Sequence, residues 1–399
     1  MRNFATDFMM INYMFQTFRT LLLSGLLSVS AAVTAQQSGR FSVATLNVDG
    51  LPQKILFFNL NAGGPGSAGS VRISNYLAQR GYDMMFFQED FNYHDELTTV
   101  LEDDYQFDQW SGAVGLDVPG KKIDLLHAQN IKFDCDGLGA CWKNGITLGK
   151  SERVKWKAEF GKFSHANDEL VTKGFRRYEL TFSDGTPVIV YNMHMDADYI
   201  LDEVEQKDGK DRAARLAQWL QLRDDVMEHI DTRPIIVVGD MNSLYYRDPV
   251  KTQFVDAIEA TGKATVNDVF VELGLKGVYP EPKPVHQERI RPGNILNGET
   301  FDKILYINPT QGIQIKPVSY SIDTVGYKHD GKMLGDHYPL VATFEVVGRD
   351  ESKPVGIGNV TADEGAAGYY DLKGQLVGRP AKGIYIESDS QQARKVIRK

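Results

Sequence analysis

Six short stretches of this chain end or begin an apolar run with side chains that can hold a cation or move a proton. In chain order they are Asn47-Val48-Asp49-Gly50, Gln88-Glu89-Asp90, Asn192-Met193-His194-Met195-Asp196-Ala197, Gly239-Asp240-Met241-Asn242, Phe301-Asp302-Lys303 and Gly335-Asp336-His337. Carboxylates and carboxamides are hard oxygen ligands, which suit magnesium and other hard divalent cations better than thiols do. A histidine with a carboxylate partner titrates where a general base must. Together these groups suit hydrolysis of a phosphate ester, in which a water loses its proton in line with the leaving oxygen while a cation and hydrogen-bond donors hold the charge on the equatorial oxygens. Taken singly, each stretch also reads as a turn, a solvated loop or a surface hydrogen bond. Their joint occurrence favours a site.

For those groups to converge, the apolar runs beside them must be strands of one scaffold. Phe41–Leu46 has strand periodicity, Met84–Phe87 is an apolar strand, and so are Val188–Tyr191, Pro234–Val238 and Leu340–Phe344. In Gly239-Asp240-Met241-Asn242 the period of two places Asp240 and Asn242 on the same side of the chain. Helices alternate with these runs: Ile73–Gln79 closes near Gly81, and from Lys210 to Ile230 the residues Leu216, Trp219, Leu220, Val226 and Ile230 recur at helical spacing. The expected fold class is therefore α/β (α+β), a sheet scaffold covered by helices, with Tyr279–Pro284 as a proline-rich loop inside it.

Composition is that of an ordinary globular chain: 399 residues, 42% hydrophobic and 24% charged. Residues 1–35 are different. Arg2 and Arg19 precede an apolar stretch, Leu21–Leu27, and the small residues Ala31–Ala35, which predicts a secretory signal cut after Ala35; a retained membrane anchor is the alternative. In an exported protein the near-neighbour pair Cys135 and Cys141 predicts a disulfide. Residues 1–35 carry net +1 and residues 348–399 net +2, which leaves −12 on residues 36–347 out of the total of −9. So acidic a surface repels a polyanion and makes nucleic acid the less favoured partner, an argument that weakens once a divalent cation occupies the site. Beyond Val347 a polar linker (348–360) leads to short glycine-punctuated strands in 361–399, a small β module.

The ordered set Asn-x-Asp-Gly, Gln-Glu, a strand ending in His, Gly-Asp-x-Asn, Asp-x-Ile and Asp-His resembles the endonuclease/exonuclease/phosphatase superfamily across roughly residues 41–347. That resemblance implies a four-layered sandwich like that of deoxyribonuclease I over a catalytic domain at 36–347. It further implies Glu89 as the magnesium ligand with Asn47, Asp49 and Asp336 on the metal side. Asp240 and Asn242 would position the water and a phosphate oxygen, His337 would act as general base oriented by Asp302, and His194 would stabilise the phosphoryl charge. His194-Met195-Asp196-Ala197 and Arg215-Leu216-Ala217-Gln218 are similar to the His-x-x-Ala and Arg-x-x-Gln motifs of the sphingomyelinase branch, so the resemblance implies a secreted phosphodiesterase acting on a phospholipid head group. A nuclease or inositol-phosphate phosphatase on the same scaffold, or a non-catalytic surface module, are the alternatives. Phe57-Phe58 is a candidate membrane-surface contact. The run Lys382-Gly383-Ile384-Tyr385-Ile386 with the basic tail Arg394–Lys399 resembles the sorting domain of the type IX secretion machinery, which implies a secreted or cell-surface location.

Overall fold

The computed structural model describes residues 39–347 apart from 56–57, 60, 115–131, 163–164, 199, 202–203, 206–208, 282–294 and 297–298, and beyond them 368–370, 376–377, 383–388 and 393–398. The expected signal (1–35), the linker (348–360) and Phe57 lie outside the described residues. The chain divides into two units, with the boundary between Arg349 and Asp350.

In the first unit the principal elements are β1 (Arg40–Asn47), α1 (Gly66–Arg80), β2 (Met84–Gln88), β3 (Tyr105–Phe107), β4 (Gly139–Lys143), β5 (Thr147–Lys155), β6 (Gly174–Thr181), β7 (Pro187–His194), α2 (Lys210–His229), β8 (Ile235–Asp240), β9 (Ala264–Asp268), β10 (Asp302–Pro309), β11 (Gln314–Ile322) and β12 (Leu340–Val347). They form two six-stranded sheets, one in the order β11-β12-β1-β2-β4-β3 and the other β9-β10-β8-β7-β6-β5. Both sheets are mixed: β1 runs parallel to β2 and β7 parallel to β8, and the remaining pairs in each sheet are antiparallel.

Alternation along each strand sorts the side chains into layers. Phe41, Val43, Met84 and Phe86 from the first sheet meet Tyr178, Val188, Val190, Ile236, Val238 and Ile304 from the second in one buried cluster. The opposite face of the first sheet, with Ala44, Leu46, Met85 and Phe87, packs on Ile73, Tyr76 and Leu77 of α1. The opposite face of the second, with Ile189, Tyr191, Ile235 and Val237, packs on Trp219, Leu222 and Val226 of α2. This is the expected helix–sheet–sheet–helix sandwich. Strands buried on both faces explain why Met84–Phe87 is apolar at every position. Truncating Phe86, which is fully buried between the sheets, costs about 3–5 kcal/mol in transfer and cavity terms.

Helix α1 begins seven residues before the expected start, at Gly66 rather than Ile73. Its first turns hold Gly69 because a Cβ there would meet Pro65 Cβ at 2.4 Å, so packing overrides the poor helix propensity of glycine. The other end is as expected: Gly81 takes φ 61° and donates its N–H to Leu77 O.

The expected disulfide does not form. Cys141 sits in β4 opposite Met85, and its thiol packs in the outer cluster of the first sheet. Cys135 is buried in a different cluster, with Phe91, Phe133 and Val171. The loop between them is held by ion pairs instead: Asp136 accepts from Arg176 Nε at 2.8 Å and pairs with Arg153 at 3.0 Å. Flanking strand pairing and apolar packing thus carry the two thiols apart.

The second unit contains a four-stranded antiparallel sheet of β13 (Gly368–Tyr370), β14 (Leu376–Val377), β15 (Gly383–Ser388) and β16 (Ala393–Arg398), in the order β14-β13-β15-β16. Ile384 pairs with Ile397 and Ile386 with Lys395.

Candidate active site

Strand direction is what brings the polar stretches to one edge. Parallel pairing sets Asn47 beside Gln88 at the ends of β1 and β2, and His194 beside Asp240 at the ends of β7 and β8. Strands β10 and β12 run against those neighbours, so their beginnings arrive at the same edge. Asp302 pairs with Asp240, and Leu340 pairs with Thr45, which delivers Asp336 and His337 to where β1 ends.

Asn47 links the two sheets. Its Nδ2 donates to Glu89 Oε1 at 3.0 Å and to Asp240 Oδ2 at 3.2 Å. Behind it Gln88 Nε2 donates to Asn192 Oδ1 at 2.7 Å, and Asn192 Nδ2 donates to the carbonyls of Phe87 and Gly139, each at 3.0 Å. Gln88 and Asn192 are fully buried, so this pair is a polar tie between the sheets rather than part of the open site.

Eight described non-glycine residues have positive φ, and three of them belong to the site: Asp49 (51°), Glu89 (57°) and Asn242 (47°). Such geometry costs about 1–2 kcal/mol per residue for an L-amino acid. Local bonds hold it. Asp49 N–H donates to Asn47 Oδ1 and Asn242 N–H to Asp240 Oδ1, both at 3.0 Å, while Glu89 O accepts from Gly50 N at 3.1 Å and Phe91 N at 2.8 Å. A Cβ at Gly239, where φ is 139°, would lie 2.0 Å from Met193 O. Only glycine lets β8 approach β7 this closely just before Asp240.

His337 Nδ1 lies 2.8 Å from Asp302 Oδ2, and its Nε2 lies 3.7 Å from Asp240 Oδ2. The carboxylate partner places the Nδ1 proton and leaves Nε2 facing the site. His194 Nε2 lies 3.7 Å from the same Asp240 oxygen and 4.0 Å from Glu89 Oε1. Asn242 Nδ2 donates to Met195 O at 3.1 Å.

The buried ammonium of Lys173 stands 3.1 Å from His194 Nε2 and donates to Asp168, whose second oxygen accepts from Ala197 N at 3.0 Å. Sequence reasoning missed this cation. Burial, then Lys173, holds the His194 pKa well below its usual value. Lys173 stays charged although burial opposes it, because Asp168 and Glu89 stand beside it. Asn61, also missed, donates to Asp49 Oδ1.

The carboxylates are crowded. Burial, then Asp336 and Glu89, pushes Asp49 up to about 8. Burial and Asp336 push Glu89 up to about 7, and burial and Asp302 push Asp240 up to about 6. Burial alone would lower His337, yet Asp302, Asp336 and Asp240 together raise it well above the usual histidine range. A divalent cation among these oxygens would relieve the excess negative charge, and the donor set of Glu89, Asp49, Asp336 and Asn47 is all oxygen at the ligand atoms, as magnesium requires. Asp240, Asp302 and His337 also bring one ligand atom each within 4.8 Å of one another. In that second group His337 Nδ1 is already committed to Asp302. All nine expected site residues therefore lie in or beside one arrangement at the shared edge of the two sheets.

Similar arrangements of strands and helices occur in solved structures. The chain is similar to TDP2 of D. rerio in complex with a single-strand DNA product (17% identity, 77% of this chain and 99% of that one, TM-score 0.49). It is also similar to the human nocturnin catalytic domain with bound sulfate (17%, 77% and 94%, 0.48) and to sphingomyelinase C of Streptomyces griseocarneus (16%, 76% and 99%, 0.44). No family model and no curated protein matches the chain.

Proposed function

We propose that the chain is a metal-dependent phosphodiesterase whose substrate is a phospholipid head-group phosphodiester of the sphingomyelin type. One observation carries the reading: the His337–Asp302 dyad stands 3.7 Å from Asp240, which Asn47 ties to Glu89 across the shared edge of the two sheets. Once it has lost the proton that the surrounding carboxylates favour, His337 Nε2 takes a proton from a water oriented by Asp240; the water oxygen attacks phosphorus, the bond to the leaving oxygen breaks, and the alkoxide takes a proton from solvent. The imidazolium that forms is stabilised by Asp302 through Nδ1–H. Asn47 and Asn242 orient the neighbouring carboxylates, and the Lys173 ammonium sets a fixed positive charge beside His194 Nε2, toward the phosphoryl group; His194 thus holds that ammonium in place instead of donating to the phosphoryl oxygens itself. Glu89, with Asn47, Asp49 and Asp336, would hold magnesium, which would supply Lewis acidity at the phosphate.

The lipid assignment rests on the His194-x-x-Ala197 and Arg215-x-x-Gln218 stretches and on the net −12 of residues 36–347, which opposes a nucleic-acid backbone. Export with delivery by the type IX machinery to the cell surface or medium belongs to the same proposal. The test is to incubate the purified full chain with sphingomyelin vesicles, supercoiled plasmid DNA and phosphoinositides, with magnesium and with chelator. Release of phosphocholine only in magnesium supports the reading. DNA nicking without lipid cleavage replaces lipid by nucleic acid, and no turnover with any divalent cation overturns hydrolysis itself.

A further inference from the structure

Four charged side chains behind the site close a ring. Arg215 reaches Asp198 at 3.1 Å and Asp248 at 3.1 Å, and Arg247 reaches the same two carboxylates at 2.5 and 3.4 Å. Arg215, Arg247 and Asp248 are buried. Arg212 adds a third guanidinium on Asp248 at 2.9 Å, and the strength of the ring lies in geometry: two planar guanidinium forks fix both distance and angle to their carboxylates.

Each arginine also grips backbone of a loop that follows or carries a site residue. Arg215 Nη1 donates to Asp196 O at 3.1 Å, while Gln218, one turn further along α2, accepts the Asp196 N–H at 2.8 Å. Both backbone groups of the residue two positions past His194 are thereby held by one helix. Arg247 Nη2 donates to the carbonyl of Asn242. We infer that the Arg215–Asp198–Arg247–Asp248 ring is the positioning device of the site, fixing the loop after β7, which follows His194, against the loop after β8, which carries Asn242. This inference rests on the phosphodiesterase reading for its kinetic arm only. None of the four is a catalytic residue: Arg247 acts through the Asn242 backbone and Arg215 through that of Asp196.

Buried ion pairs are often replaceable by apolar side chains with little loss of stability, so the ring is by itself weak evidence of a purely stabilising role. Small displacements of reacting groups, by contrast, are costly in rate. Arg247→Lys keeps the charge beside Asp198 but removes the fork that spans Asp198 and Asn242. The expected result is a fall in kcat on the order of 10²-fold with KM for the phosphodiester unchanged. Val226→Ala, in the apolar core under α2, is the matched control that lowers Tm and leaves kcat alone. A kcat loss in Arg247→Lys no larger than in Val226→Ala overturns the inference. Asp198→Asn, at the least buried corner of the ring, is the second variant should Arg247→Lys fail to fold. In either variant amide exchange at 195–198 and 241–248 rises while β7 and β8 keep their protection; unchanged exchange in both loops overturns the inference. This readout needs no turnover, so an inactive wild-type enzyme sinks the functional reading without deciding the role of the ring.

Discussion

Lys173 Nζ and His194 Nε2 are 3.1 Å apart in a buried pocket closed by Asp168. An ammonium has only donors, so Nε2 accepts and the imidazole proton sits on Nδ1. NMR of wild-type protein at neutral pH is expected to show a neutral, Nδ1-protonated His194; an Nε2-protonated ring would contradict the assignment. Lys173→Met strands the Asp168 carboxylate and costs about 3–5 kcal/mol of stability. Adding Asp168→Asn recovers stability but not turnover, which stays down by on the order of 10²-fold.

Glu89→Gln keeps the acceptor oxygen for Asn47 while removing charge from a crowded set. Turnover falls by on the order of 10³-fold as cation binding is lost, with Tm equal to or above that of wild type. His337→Ala loses on the order of 10²–10⁴-fold with the fold retained. Wild-type rates in both variants would remove these residues from the mechanism.

Magnesium and pH act together on stability. Asp49 and Glu89 have folded pKa values of about 8 and about 7, above their ordinary 3.8 and 4.5. Stability from groups shifted upward is present below the ordinary value and is lost as pH rises through the folded one. In chelator, Tm therefore falls between pH 5 and about 8, and magnesium restores it far more at pH 8 than at pH 5. An equal magnesium effect at both pH values would argue against a cation among these carboxylates.

The opposite sign holds at Asp248, which Arg215 and Arg247 draw down to about 2 from 3.8 against the effect of burial. Its contribution of about 2 kcal/mol is present above the ordinary carboxylate range and is lost as pH falls from about 4 to about 2. Urea unfolding at pH 5 and pH 2.5 measures the loss. Asp248→Asn, already weaker at pH 5, is expected to show a smaller further drop on acidification.

Cys135 and Cys141 are buried thiols in separate clusters. Alkylation in native buffer is expected to leave both unmodified, and alkylation after unfolding without reductant to modify both. A disulfide-linked peptide in the unreduced digest would reverse this description.

Much of the site was readable because strand ends announce themselves: an apolar run stops and polar groups follow at period two, as at Val238-Gly239-Asp240-Met241-Asn242. The meeting of Asp302 with Asp240 was less readable, since it depends on β10 running antiparallel to β8, and strand direction leaves no mark on local periodicity. Lys173 was invisible for another reason. A lysine beside Gly174 at the start of a strand reads as a solvated charge, and its burial is decided by Asp168 and His194, which arrive from other segments. The disulfide was misread because spacing across a glycine turn says nothing about the apolar clusters that claim each thiol.

The left-handed backbone at Asp49, Glu89 and Asn242 places the protein's chemistry at the positions where glycine would relax the main chain. A library of variants screened for heat resistance alone would enrich glycine at these three codons and silence the proposed activity while improving the score. Retention of the two acids and the amide at these positions across natural variants would therefore be a signature of selection for turnover, visible in sequences before any assay is run.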